Sequence, residues 1–284
     1  MPVKINNATI VLKVKVDWLY GDRYMIKLIA FDLDGTLANR GVGITDENIG
    51  RLKRLEENGI KIAICSGKTV DYLGGFMRQV GLTDVILLGE NGAVFQMGVE
   101  WPPKEQKLFP YSKQAKESLA MIREEIDGRL PGLWYQPNLV GVSPFPRCEE
   151  EFEIISDILE KKAEQLQGIK VYRHVDCYDI VPAAIDKKSG LHFLAQELGL
   201  KPEEIVAVGD GENDYPMFEY AGLALGVQVK DETQVDKNFD EITDVFEYLD
   251  AKLKQVANLE DDWATQAMEE LEDFIESQGI YIRQ

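Results

Sequence analysis

The sequence predicts an α/β fold, a parallel sheet covered by helices, interrupted by an inserted α+β domain. Three features of the 284-residue chain point there. Short, wholly apolar runs alternate with helical patterns from residue 26 onward, as in a doubly covered parallel sheet. That rhythm stops near residue 93. It resumes near residue 183.

Each element has its own signal. Residues 26–33 are almost continuously apolar, which predicts a strand buried on both faces. Thr45 opens a helix whose apolar face carries Ile49, Leu52 and Leu55, and Gly59 closes it. Residues 60–65 predict a second buried strand, 70–80 a helix and 85–88 a third strand. In the interrupted stretch, Trp101-Pro102-Pro103 and Pro144-Phe145-Pro146 mark loops. Ser112 caps a helix running to Ile126, and residues 150–166 predict another. Strand-like runs lie at 138–142, 169–174 and 177–181. The first rhythm returns with a helix over 187–198 and strands at 205–208 and 223–227, followed by an acidic helical pattern over 245–277. At the other end, Leu12, Val14, Val16 and Trp18 alternate with polar residues and suggest a strand in an extension ahead of Met25. The expected division is therefore an extension of unclear role at 1–24, a discontinuous core at 25–92 and 183–284, and an insertion at 93–182.

Composition limits the partners. A formal net charge of −19, from 50 acidic and 31 basic side chains, repels nucleic acid and anionic lipid, so neither is expected. The three cysteines, Cys65, Cys148 and Cys177, form no CxxC pair, which argues against a disulfide framework or a zinc site. The N-terminal apolar run is broken by Lys13 and Lys15, unlike a signal peptide, and no stretch approaches the ~20 apolar residues of a membrane span. A cytoplasmic monomer or homodimer is expected.

Four segments carry chemistry. Phe31-Asp32-Leu33-Asp34-Gly35-Thr36-Leu37 places two carboxylates just past a buried strand, at the sheet edge where open α/β folds bind ligands. Gly209-Asp210-Gly211-Glu212-Asn213-Asp214 does the same after the strand at 205–208. Carboxylates that converge repel one another unless protonated or bound to metal. Mg²⁺, which prefers hard oxygen ligands, suits Asp32 and Asp210. Cys65-Ser66-Gly67-Lys68-Thr69 resembles the tail of a P-loop, but Ile62 stands where a P-loop needs its first glycine. What remains is a hydroxyl and backbone amides at a helix start, suited to a phosphate oxygen. Finally, Lys187 or Lys188 opens a helix after Asp186 and offers the cation that an anionic site requires.

In this order the four segments resemble those of the haloacid dehalogenase-like phosphatase superfamily. The resemblance is to the group with a large α+β cap between the second and third motifs, which includes Cof-type sugar phosphatases, sucrose-phosphate phosphatases and archaeal phosphoglycolate phosphatases. It implies a Rossmann-like core, the inserted domain as cap, and Mg²⁺-dependent hydrolysis of a phosphate monoester through a phospho-aspartate. It further implies Asp32 as nucleophile, Asp34 as general acid/base, and Ser66 and Lys187 as phosphoryl contacts. Lys187 is favoured over Lys188 by the spacing to Leu198-Gly199-Leu200. The metal would be held by Asp32, the Asp34 backbone carbonyl, Asp210 and Asp214, and the phosphate surrounded by Gly35, Thr36, Gly67 and Asn213. Glu90-Asn91-Gly92-Ala93 resembles the segment that enters the cap. In the cap, Trp134, Tyr135, Arg147, His174 and Tyr178 are candidate readers of the leaving group. Two other readings stay open: a phosphosugar mutase on the same fold, and a phospho-ligand binding protein without turnover.

Overall fold

The computed structural model describes residues 26–39 and 41–254. The strand expected before Met25 and the helical pattern beyond residue 254 lie outside them.

The apolar runs do become strands. β1 (Leu28–Phe31), β2 (Lys61–Cys65) and β3 (Ile86–Gly89) lie side by side and parallel, with nearly every residue buried. After the insertion, β10 (Ile205–Gly209), β11 (Leu223–Val227) and β12 (Lys237–Phe239) add to the other side of β1, also parallel. With β4 (Val94–Met97) and β5 (Glu105–Leu108) beyond β3, the sheet order is β12-β11-β10-β1-β2-β3-β4-β5. Strand order reverses at β1, which creates the switch-point crevice where ligands bind in such sheets.

Helices cover both faces. α1 (Asp46–Glu57) and α2 (Val70–Val80) pack Leu52, Leu55, Leu73 and Met77 against one face, together with Phe246 of the helix α7 over residues 242–254. Thr45 and Thr69 cap α1 and α2 by accepting the backbone N–H three residues on, each at 3.3 Å. The opposite face is covered by α5 (Lys187–Leu198) and α6 (Tyr215–Tyr220), through Leu191, Leu194, Met217 and Phe218.

The insertion departs from expectation at its start. β4 (Val94–Met97) and β5 (Glu105–Leu108) pair antiparallel with β3 and extend the main sheet, so the chain leaves the core after Leu108 rather than at residue 93. Only one face of an antiparallel edge pair needs to be apolar, and the exposed β5 sequence Glu-Gln-Lys-Leu carries little strand signal. Beyond it, α3 (Lys113–Arg129) and α4 (Glu149–Lys162) pack on the hairpin of β8 (Ile169–Arg173) and β9 (Tyr178–Pro182). Ser112 caps α3, as expected. The run 138–142 is not a strand: it forms a loop with one bridge, Val142 to Ile180, beside the short pair β6 (Trp134–Tyr135) and β7 (Pro144–Phe145). Pro144 and Phe145, expected in a loop, are thus paired. The three cysteines are free, and no helix among the described residues is long and apolar enough to cross a membrane.

Candidate active site

Register brings the motifs together. Phe31 lies opposite both Ile64 of β2 and Val208 of β10. Three chemistry-bearing segments therefore leave the sheet at one edge, on adjacent strands: Asp32 after β1, Ser66 after β2 and Asp210 after β10. The Asp32 N–H donates to the Val208 carbonyl at 2.8 Å, fixing the first carboxylate against the third segment.

The fourth segment arrives from the insertion. Asp186 caps α5 by accepting the Ser189 N–H at 2.8 Å, while the Ser189 hydroxyl lies 2.9 Å from the Asp186 N–H. That cap sets the helical phase, and with it the fate of the two lysines. Lys187 turns inward and is 1% exposed. Its ammonium donates to Asp32 Oδ1 and to Asp214 Oδ1, each at 2.5 Å. Lys188 turns outward and pairs with Glu219 at 2.8 Å. Of the two lysines, Lys187 is therefore the one placed among the carboxylates.

Asp214 is wholly buried and organises the 209–214 segment. While one oxygen takes Lys187, the other accepts the N–H groups of Asp210 and Gly211, both at 3.0 Å. Asp210 is held separately, with Oδ1 accepting the Thr36 hydroxyl at 3.0 Å. Gly35 permits this approach. Its φ is +101°, and a Cβ there would collide with Asp210 Oδ2. Any other residue would displace the carboxylate and strain the turn.

Asp32, Asp210 and Asp214 each offer an oxygen within 4.8 Å of the others. Burial is the largest influence on Asp32 and Asp210. It pushes the Asp32 carboxyl up to about 8; Lys187 opposes this, while Asp214 and Asp210 add to it. Burial and Asp214 likewise raise Asp210. Burial disfavours charge on Lys187, but the Asp214 and Asp32 carboxylates outweigh it and hold the ammonium protonated. One buried ammonium thus faces three crowded carboxyls, an arrangement that a hard divalent cation would complete.

The other expected residues surround this centre. Asp34 is a quarter exposed at the rim, with the Lys68 ammonium 3.6 Å from Oδ2. Ser66 is buried at the start of the loop into α2, and its hydroxyl accepts the Lys68 N–H at 3.2 Å, leaving its own hydrogen to donate. Gly67 follows it. Asn213 lies on the 209–214 segment beside Gly211. Of the cap candidates, Tyr135 lies under the Arg123 guanidinium, Arg147 pairs with Glu151, Trp134 packs on Phe145, and Tyr178 bonds to Ser156 and the Phe152 carbonyl. These contacts lie within the cap. His174 instead stands 3.2 Å from Asp179, at the seam with the core.

The seam itself was not read from the sequence. Asp179 accepts the Ser143 hydroxyl at 2.6 Å and the Asn91 amide at 3.3 Å. Burial would raise Asp179, but His174, Ser143 and Asn91 outweigh it and hold the carboxyl below its usual range. The Gln136 amide donates to the Gly67 carbonyl at 2.8 Å. The available signal was an aspartate inside the apolar strand run at 177–181.

Comparison with known proteins agrees with this geometry. The haloacid dehalogenase-like hydrolase family matches residues 29–129 and 145–262. A phosphoglycolate phosphatase of Methanospirillum hungatei is 27% identical over 209 residues, covering 72% of this chain and 84% of its own. The 5-amino-6-(5-phospho-D-ribitylamino)uracil phosphatase YwtE of Bacillus subtilis is 25% identical over 255 residues, covering 72% of this chain and 88% of its own. Among solved structures, a haloacid dehalogenase-like hydrolase from Bacteroides thetaiotaomicron superposes with a TM-score of 0.66 at 20% identity, over 80% of this chain and 100% of that one. A Thermotoga maritima protein superposes at 0.59 with 23% identity, over 75% of this chain and 92% of that one. With the family matching two long segments that include all four motifs, the chain belongs to the haloacid dehalogenase-like hydrolases.

Proposed function

We propose that this chain is a Mg²⁺-dependent phosphatase that hydrolyses a small phosphate monoester through a phospho-aspartate on Asp32. The observation that carries the reading is the Lys187 ammonium bridging Asp32 and Asp214, with Asp210 beside them, at the carboxyl ends of β1 and β10. Relatives named as phosphatases for phosphoglycolate and for a phosphoribityl compound support a small metabolite, either a sugar phosphate or a phosphoglycolate-like ester.

The residues divide the work. Lys187 holds Oδ1 of Asp32 and so aims the carboxylate. Asp32 attacks phosphorus as the ester oxygen departs, and Asp34 at the rim gives that oxygen a proton. Water then attacks the phosphorus of phospho-Asp32 and yields its proton to Asp34. Asp32 and inorganic phosphate are released. The Ser66 hydroxyl, the amides of its loop and Lys187 offset charge on the phosphoryl oxygens. Asp32, Asp210 and the Asp34 carbonyl would hold Mg²⁺, with Asp214 behind them because its two oxygens already serve Lys187 and two amides. Bound there, the ion would neutralise phosphoryl charge and fix the ester for in-line attack.

The test is a panel of phosphometabolites assayed with Mg²⁺. Release of inorganic phosphate is expected from at least one small ester, and removal of the metal by excess EDTA should abolish it. Full activity after rigorous chelation would contradict the metal role. An isomerised phosphosugar in place of free phosphate would mean a mutase.

The role of Asp34 has a separate check. Asp34→Asn keeps the size of the side chain and removes the transferable proton, so the rate on an alkyl phosphate should fall by about 10²–10⁴-fold. The first step on p-nitrophenyl phosphate, whose leaving group needs no proton, should survive. Equal, unimpaired turnover of both substrates would remove Asp34 from the mechanism.

A further inference from the structure

The turn at Glu90–Gly92 is in an unusual conformation. Glu90 and Asn91 have φ of +52° and +55°, in the left-handed region that residues with a side chain rarely enter. Two such residues in succession cost free energy, which the surroundings must offset. Each residue of the turn grips a different part of the molecule. The Glu90 N–H donates to the Lys68 carbonyl and the Asn91 N–H to the Ser66 carbonyl, both at 2.9 Å, tying the turn to the phosphate loop. Gly92 lies against α5, close enough that a Cβ would meet the Asp186 carbonyl oxygen at 2.6 Å, one residue before Lys187. The Glu90 side chain reaches the insertion. Its Oε1 accepts the Leu139 N–H at 2.7 Å, and its Oε2 accepts the N–H groups of Val140 and Gly141 at 2.9 and 3.1 Å. Glu90 is 2% exposed. A carboxylate that enters a buried site and meets three amides of a distant loop is specific in shape and in charge.

We propose that Glu90 is a positioning residue that latches the inserted domain onto the core, holding the leaving-group side of the cleft in register with Ser66 and Lys187. One short turn then carries three attachments: its backbone fixes the Ser66 loop, its glycine fits the start of α5, and its carboxylate fixes the domain above them. Asn91 adds a second link across the seam through Asp179, and Gln136 a third to Gly67. Each of these is a single hydrogen bond, whereas the Glu90 carboxylate accepts three. In this left-handed backbone the Glu90 N–H stays on the phosphate loop while its carboxylate meets residues 139–141.

The test is Glu90→Gln, nearly isosteric, which leaves at least one of the three N–H groups without an acceptor whichever way the amide faces. Hydrogen exchange of the intact protein is the first measurement. The Leu139, Val140 and Gly141 amides should be strongly protected in the parent. They should exchange roughly ten- to a hundredfold faster in Glu90→Gln, the size of a hydrogen bond to a charged group. The core strands should keep their protection. Parent amides at 139–141 that exchange like an open loop, or no change in the variant, would overturn the latch, and neither observation depends on catalysis. The second measurement rests on the phosphatase reading. With the metabolite found in the panel, KM should rise and kcat/KM should fall roughly ten- to a hundredfold, while p-nitrophenyl phosphate should lose far less. A matched loss on both substrates would mean a purely structural role. If no ester is hydrolysed by the parent, the phosphatase reading fails while the exchange result still decides the latch.

Discussion

Replacing Asp32 with asparagine is expected to reduce turnover by at least ~10⁴-fold while leaving the fold intact, because an amide cannot form the phospho-enzyme. The structure separates these two effects. Asp32 is buried at the end of β1 and is fixed by its backbone N–H to Val208, a contact the substitution leaves alone. The oxygen of the new amide would still accept from Lys187, and Lys187 would keep its second partner, Asp214. An amide carries no charge at any pH, so the substitution ends the repulsion from Asp214 and Asp210 that helps to raise the Asp32 carboxyl. The melting temperature of the metal-free variant should therefore match or exceed that of the parent. Near-normal kcat in Asp32→Asn would remove the nucleophile from the account, and cooperative unfolding at a much lower temperature would show that Asp32 is chiefly structural.

Lys187→Met is expected to damage both activity and stability. The ammonium is fully buried and bridges two carboxylates, so its removal leaves both without their cation in a dry site. Breaking a buried ion pair from one side typically costs about 3–5 kcal/mol. For a domain of this size that corresponds to a drop of roughly 6–20 °C in melting temperature. Activity should fall by a further ~10²–10³-fold, the usual loss when one preorganised charge donor is removed. Lys187→Arg should not restore it, since a planar guanidinium cannot occupy the slot between Asp32 Oδ1 and Asp214 Oδ1. Lys188→Met is the internal control. Lys188 meets Glu219 at the surface, and both stability and activity should stay close to the parent's. Equal behaviour of the two methionine variants would contradict the assignment of Lys187.

The candidate site was legible because its residues occupy places that sequence patterns expose. Apolar strands can be seen as apolar runs, and a carboxylate just past such a run must emerge at the sheet's edge. Asp32, Ser66 and Asp210 were found in this way. The choice between Lys187 and Lys188 depends on helical phase, which the Asp186–Ser189 cap sets and a run of two lysines does not reveal. The seam between core and insertion was less visible for a different reason. The apolar residues Leu139, Val140 and Val142 read as a strand, yet the N–H groups at 139–141 are spent on Glu90, some fifty residues earlier in the chain. Nothing local signals such a contact. β5 escaped notice because an exposed edge strand is stabilised by its neighbour β4 rather than by its own apolar pattern. Asp179 sat inside a run read only as strand-like, and its partners Ser143, Asn91 and His174 come from three separate segments.

Passage of phosphate through Asp32 can be seen by trapping the phospho-enzyme. Asp34→Asn should slow the attack of water on phospho-Asp32 while sparing its formation from p-nitrophenyl phosphate. Acid quenching of that variant during turnover, followed by borohydride reduction, converts an aspartyl phosphate to homoserine, which mass spectrometry locates by residue. A burst of p-nitrophenol approaching one equivalent per enzyme is expected, with homoserine at position 32. Phosphate release without a burst, with position 32 unmodified or with the label at another residue, would contradict it.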